Sequence, residues 1–101
     1  MDRRLQLHEI LCDILGSRNV YFQPPENVKI QYPAILYSRS RVDSKKANNK
    51  SYKIDFEYEI IFVNNKYETD HIIDMLSLPM CRYDRHYVMD NLYHDVYTLY
   101  Y

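Results

Sequence analysis

Among 101 residues there is one glycine, Gly16, and no tryptophan. A loop that cradles phosphate through its backbone needs several positions without a Cβ, so glycine this scarce argues against Gly-rich nucleotide-binding motifs. Cysteine occurs twice, at Cys12 and Cys81. Two distant cysteines do not make a disulfide framework; they read as reduced, buried thiols. No apolar run is long enough to cross a bilayer, and the start is polar and charged, so neither a membrane span nor a signal peptide is expected. An excess of one charge is also missing, with a formal net charge of −1. Dedicated nucleic-acid binders are usually strongly basic, so that class would need a local basic patch.

Tyrosine is what the chain has in quantity, 12 residues against three phenylalanines. Its apolar body and polar tip suit surfaces that are wet before assembly and buried after it. A chain of this length holds a single domain, residues 1–101, with roughly two-thirds of its unfolded surface buried on folding.

Leu7, Ile10, Leu11, Ile14 and Leu15 recur at helical spacing, which predicts a helix over residues 3–15. Asp2 stands where an N-cap would, and Gly16 where a left-handed residue would end the helix. Val20–Phe22 reads as a short extended piece, broken by Pro24 and Pro25. An arm laid over the domain follows, then a strand at about residues 34–41. The stretch "SRSRVDSKKANNKSYK" holds Arg39, Arg41, Lys45, Lys46, Lys50 and Lys53 against Asp43. It reads as a long basic hairpin loop at about residues 39–51, mobile in isolation.

The clearest periodicity is in "YKIDFEYEIIFV". Tyr52, Ile54, Phe56, Tyr58, Ile60 and Phe62 alternate with Lys53, Asp55, Glu57 and Glu59. This predicts a half-buried antiparallel strand with Ile54, Phe56, Tyr58 and Ile60 in the core. Thr69 or Asp70 can open a second helix carrying Ile72, Ile73, Met75 and Leu76, with Pro79 marking its end. Two strands, at about residues 82–88 and 94–100, are joined by an Asp90-Asn91 turn. The expected fold is α+β, an antiparallel sheet of about four strands with two helices packed on one face.

The last strand poses a question. Tyr93, Asp95, Tyr97, Leu99 and Tyr101 alternate with Leu92, His94, Val96, Thr98 and Tyr100, so both sides are partly apolar. Helices can cover only one. We expect Tyr93, Tyr97 and Tyr101 to form the outward side and a candidate subunit interface.

Chemical motifs are sparse. The histidines His8, His71, His86 and His94 lack zinc-ligand spacing, and no metal or cofactor is expected. A two-residue turn at Asp90-Asn91 sets His86 opposite Asp95, an ion pair that reads as structural or surface rather than as a metal site. Neither cysteine carries a nucleophile signature, and Glu57 and Glu59 read as a solvated face. No catalytic residue is expected. The basic set Arg39, Arg41, Lys45, Lys46 and Lys50 is a candidate protein-docking loop.

Three stretches carry a resemblance: "MDRRLQLHEILCDILG", "NVYFQPPENVKIQYPAILYS" and "LSLPMCRYDRHYVMDNLYHDVYTLYY". Together they resemble the small neck proteins of long-tailed bacteriophages, of the tail-terminator or tail-completion type. The resemblance implies a structural virion protein that is not an enzyme. It would form a ring, hexameric in most such proteins, at the head-proximal end of the tail tube. The ring would end tube polymerisation and meet the head–tail connector. Implied partners are further copies of the chain, the tail tube protein and the connector protein, with no membrane and no specific nucleic acid, although DNA can pass through such a ring. The implied location is the virion neck, assembled in the host cytoplasm. A head-completion or stopper protein of the connector is the alternative within the same virion. Other classes are a small nucleic-acid-binding module using the basic loop and an enzyme using the His86–Asp95 region.

Overall fold

The computed structural model describes residues 3–47 and 50–101, with side chains for all of these except 43, 45–47 and 50–54. The expected Asp2 cap lies outside the described residues. The elements run α1 (Arg3–Leu15), β1 (Val20–Phe22), β2 (Ala34–Ala47), β3 (Lys50–Asn64), α2 (Asp70–Leu76), β4 (Cys81–Met89) and β5 (Leu92–Tyr100).

Helix α1 forms where the periodicity places it. Leu7 and Leu11 are fully buried, with Cys12 beside them. Gly16 ends it at φ +79°, and its N–H donates to the Cys12 carbonyl at 2.9 Å. That region strains any residue with a Cβ, which accounts for the lone glycine. Helix α2 starts after Thr69, whose side chain makes no cap bond; the Thr69 carbonyl accepts from Ile72 N–H at 3.0 Å.

The described strands make one sheet in the order β1-β2-β3-β5-β4. The fold is α+β, but the sheet is mixed and has five strands rather than an antiparallel four. The difference is β1, which pairs parallel to β2 with Val20, Tyr21 and Phe22 opposite Ile35, Leu36 and Tyr37. Three residues are too few for alternation to declare a strand, so only the neighbouring strand reveals it.

The basic loop at residues 39–51 is also corrected. Strand β2 continues to Ala47, and β3 starts at Lys50. The ladder runs through Arg41↔Glu57, Val42↔Phe56 and Lys45↔Lys53, with shifts at Arg39/Arg41 and Lys45/Lys46. Charged residues lower strand propensity, which hid the strand; backbone pairing with β3 overrides it. What was expected as a loop is therefore a two-stranded ribbon.

Both helices pack on one sheet face. Under them lie Val20, Ile35, Tyr37, Tyr58, Ile60, Phe62, Tyr97 and Leu99, with Leu7, Leu11, Cys12 and Met75 from the helices. Of the expected β3 core, Tyr58 and Ile60 are buried and Phe56 packs at the margin. The side chains of Ile54 and Tyr52 lie outside those described.

The faces of β5 are the reverse of the expectation. Tyr97 is 0% exposed, and Tyr101 packs against the core cluster. Register explains it: Tyr97 pairs with Ile60 and Leu99 with Tyr58, so this side continues the buried side of β3. The interface expected at Tyr93, Tyr97 and Tyr101 therefore faces the helices. Leu92, His94, Val96, Thr98 and Tyr100 belong to the face without helices.

Candidate functional site

Two arrangements stand out, one in the sheet and one on it. The first centres on Asp95, whose residue is 6% exposed. The turn Asp90-Asn91 has φ of 54° and 62°, the twist that suits a two-residue hairpin, and it sets His86 opposite Asp95 as expected. His86 Nδ1 lies 2.8 Å from Asp95 Oδ1. Sequence reasoning missed two further partners. Tyr83 OH donates to Oδ1 at 2.8 Å, and His71 Nε2 lies 3.0 Å from Oδ2.

Tyr83 and His86 are three residues apart, so an unbroken strand would point them to opposite faces. A bulge between Tyr83 and Arg85 restores them to the same one. His71 arrives from α2 and stacks on Phe62 with centroids 4.2 Å apart. A carboxylate has no proton to give, so each imidazole presents its N–H to Asp95, His71 through Nε2 and His86 through Nδ1. Burial, and then the bond to Asp95, push the Tyr83 hydroxyl up to about 12.

A cavity of about 190 Å³ lies beside this cluster, lined in part by Phe62, Asn64, Asp70, His71, Asp74 and Asp95. No group of three or more His, Cys, Asp or Glu among the described residues is placed to hold a metal ion. The cluster's geometry is that of a polar tie between α2, β4 and β5. Burial pushes the Cys81 thiol up to about 11 and raises Cys12 as well, so neither is an activated nucleophile.

The second arrangement is the helix-free sheet face. Tyr21, Leu36, Ile61 and Val96 stand in one row across four strands, with Arg85 of β4 next to Val96. Leu36 and Ile61 are only partly covered by their own chain. A neighbouring row carries Val63, His94 and Tyr87, with the Tyr87 and His94 rings stacked at 4.5 Å.

Glu57 marks where this face passes into the ribbon. It accepts from Tyr100 OH at 2.6 Å, from Ser40 Oγ at 2.8 Å and from Arg41 Nη2 at 3.1 Å. The Tyr100 and Ser40 bonds, with Arg41 beside them, hold its carboxyl below the usual 4.5. Of the expected docking residues, Arg41 is thus tied to the root of the ribbon. Arg39 lies on the helix side, where it lines a cavity with Arg3, Arg4 and Phe56. Lys45, Lys46 and Lys50 are backbone members of the ladder, and their side chains lie outside those described. No helix among the described residues is long and apolar enough to cross a membrane.

Comparison with protein-family models, with curated proteins and with solved structures gives no match to this chain.

Proposed function

We propose that this chain is a structural virion protein of the tail-terminator type. Copies form a ring at the head-proximal end of the tail tube, end tube polymerisation and offer a surface to the head connector. The sequence resemblance suggests the class, and one structural observation supports it: the row Tyr21–Leu36–Ile61–Val96 on a sheet face without helices. Tyr21, Leu36 and Ile61, on three neighbouring strands, are only partly covered by their own chain, whereas Val96 at the end of the row is fully buried. Partly covered apolar side chains across strands favour association with a defined partner over exposure to water. A contact that repeats head to tail and closes gives a cyclic ring.

The test is assembly. Purified chain, alone and with the tube protein of the same virion, is examined by light scattering and electron microscopy, and its gene is silenced during infection. The reading expects rings, and tubes of uncontrolled length when the chain is missing. A ring that binds the connector but leaves tube length unregulated moves the chain to the stopper position. A chain that stays monomeric with both partners, and whose loss leaves tails normal, overturns the proposal.

A further inference from the structure

The formal charge of −1 conceals a separation along the molecule. Strand β3 has 15 residues, which at about 3.3 Å each spans about 50 Å, close to the 51 Å long dimension of the molecule. Its start belongs to the ribbon, where residues 39–53 carry Arg39, Arg41, Lys45, Lys46, Lys50 and Lys53 against Asp43. The start of α1 adds Arg3 and Arg4, which line a cavity together with Arg39. At the far end of β3 lie Glu68, Asp70 and Asp74, all exposed, against Lys66. Asp90 is exposed at the same end, because its turn directly follows the pairing of Asn64 with Tyr93. One end is basic and the other acidic.

Both ends also carry uncovered apolar groups. Pairing of β5 with β3 stops at Tyr100↔Glu57, and pairing of β1 with β2 stops at Tyr37. Beyond these points, apart from the Tyr101 N–H that donates to the Phe56 carbonyl at 3.1 Å, β2 and β3 pair with each other. Val42, opposite Phe56, is 47% exposed. A two-stranded hairpin is marginal in water without something to pack against. At the acidic end, Tyr67 is 67% exposed and Ile73 77% exposed, among the carboxylates just named.

We infer that the β2–β3 ribbon is an arm that docks on a second copy of this chain, its basic set meeting the Glu68–Asp74 end and Val42 meeting Tyr67 and Ile73. The inference rests on the ring reading and names the surfaces that build the ring. Each copy gives an arm at one end and receives one at the other. Such a contact is heterologous, so it propagates in one direction until it closes. Opposite charge steers the encounter and sets the direction, since arm against arm and acid against acid both repel.

Charge reversal tests this in the full chain. One variant carries Lys45→Glu with Lys46→Glu, a second carries Glu68→Lys with Asp74→Lys, and a third carries all four. Mass is read by light scattering against the 12.4 kDa chain, alone and with the tube protein present. Folding is checked by circular dichroism, and Lys→Gln and acid→amide versions replace any variant that fails to fold. Each pair alone should weaken self-association by at least about tenfold. The four-fold variant, and an equimolar mixture of the two pairs, should restore it. If wild type associates and neither pair changes that, the arm is wrong while the ring reading stands. A wild type that remains monomeric under both conditions removes the arm, and the ring falls with it when the chain also stays monomeric with the connector and its loss leaves tails normal. Should Lys45→Glu with Lys46→Glu abolish binding to a random DNA duplex yet leave self-association intact, the ribbon binds phosphate and the inference fails.

Discussion

His71 on α2 holds Nε2 3.0 Å from Asp95 Oδ2 on β5, joining the second helix to an interior strand of the sheet. The same carboxylate takes Tyr83 and His86 from β4, so three elements meet at one buried acid.

Replacing Asp95 by Ala leaves three donors without their acceptor, two of them, His71 and Tyr83, partly buried. The expected loss is about 2–5 kcal/mol of folding stability. His86→Gln should cost only about 0.5–1.5 kcal/mol, because the His86 side chain is 35% exposed and its site admits water. Urea denaturation at neutral pH measures both, and equal losses would show that Asp95 is not the hub.

Tyr97 separates the two sheet faces experimentally. Its hydroxyl is buried and has no hydrogen-bond partner among the described residues. Tyr97→Phe removes that orphan and should be neutral or stabilising by about 1 kcal/mol. Tyr97→Asp puts a charge into the core and should unfold the chain. Tyr100→Asp, on the helix-free face, loses the bond to Glu57 and lowers the melting midpoint, but should leave the chain folded. Thermal melts of the three variants decide; a folded Tyr97→Asp protein would overturn the face assignment.

Glu57 should make stability depend on acid. Its folded carboxyl lies below the ordinary 4.5, so its contribution is fully present above that value and is lost as pH falls through the folded one. Wild type and Glu57→Gln should therefore differ most in melting midpoint near neutrality and converge on acidification. Parallel curves across about pH 3–7 would remove this role.

Both thiols should be slow. With Cys81 raised to about 11 and Cys12 raised by burial, little thiolate exists near pH 8. An aromatic disulfide reagent should react with the folded chain far more slowly than with the chain in urea. Fast reaction of one thiol in the native state would point to an opening of the core.

Some of this was legible in the residues alone. Helix α1 and strand β3 follow from apolar spacing, because burying one side requires that side to recur with the period of the element. Asp90-Asn91 fixes the β4–β5 register, and with it the approach of His86 to Asp95, because a two-residue turn leaves one pairing. The site beyond that pair was not legible. Tyr83 reaches Asp95 only through the bulge, and His71 comes from another element 24 residues away in sequence.

Tertiary structure alone decided three things: which side of β5 faces the helices, that β1 joins the sheet, and that residues 39–47 extend a strand. Alternation reports that a strand has two unlike sides, and on β5 both sides are partly apolar, so the local pattern carries no sign. The sign comes from pairing with β3, where Tyr97 lies beside Ile60 and must share its face. The ribbon is a strand for a related reason: its backbone groups pair with β3, and that pairing outweighs what its charged side chains prefer locally.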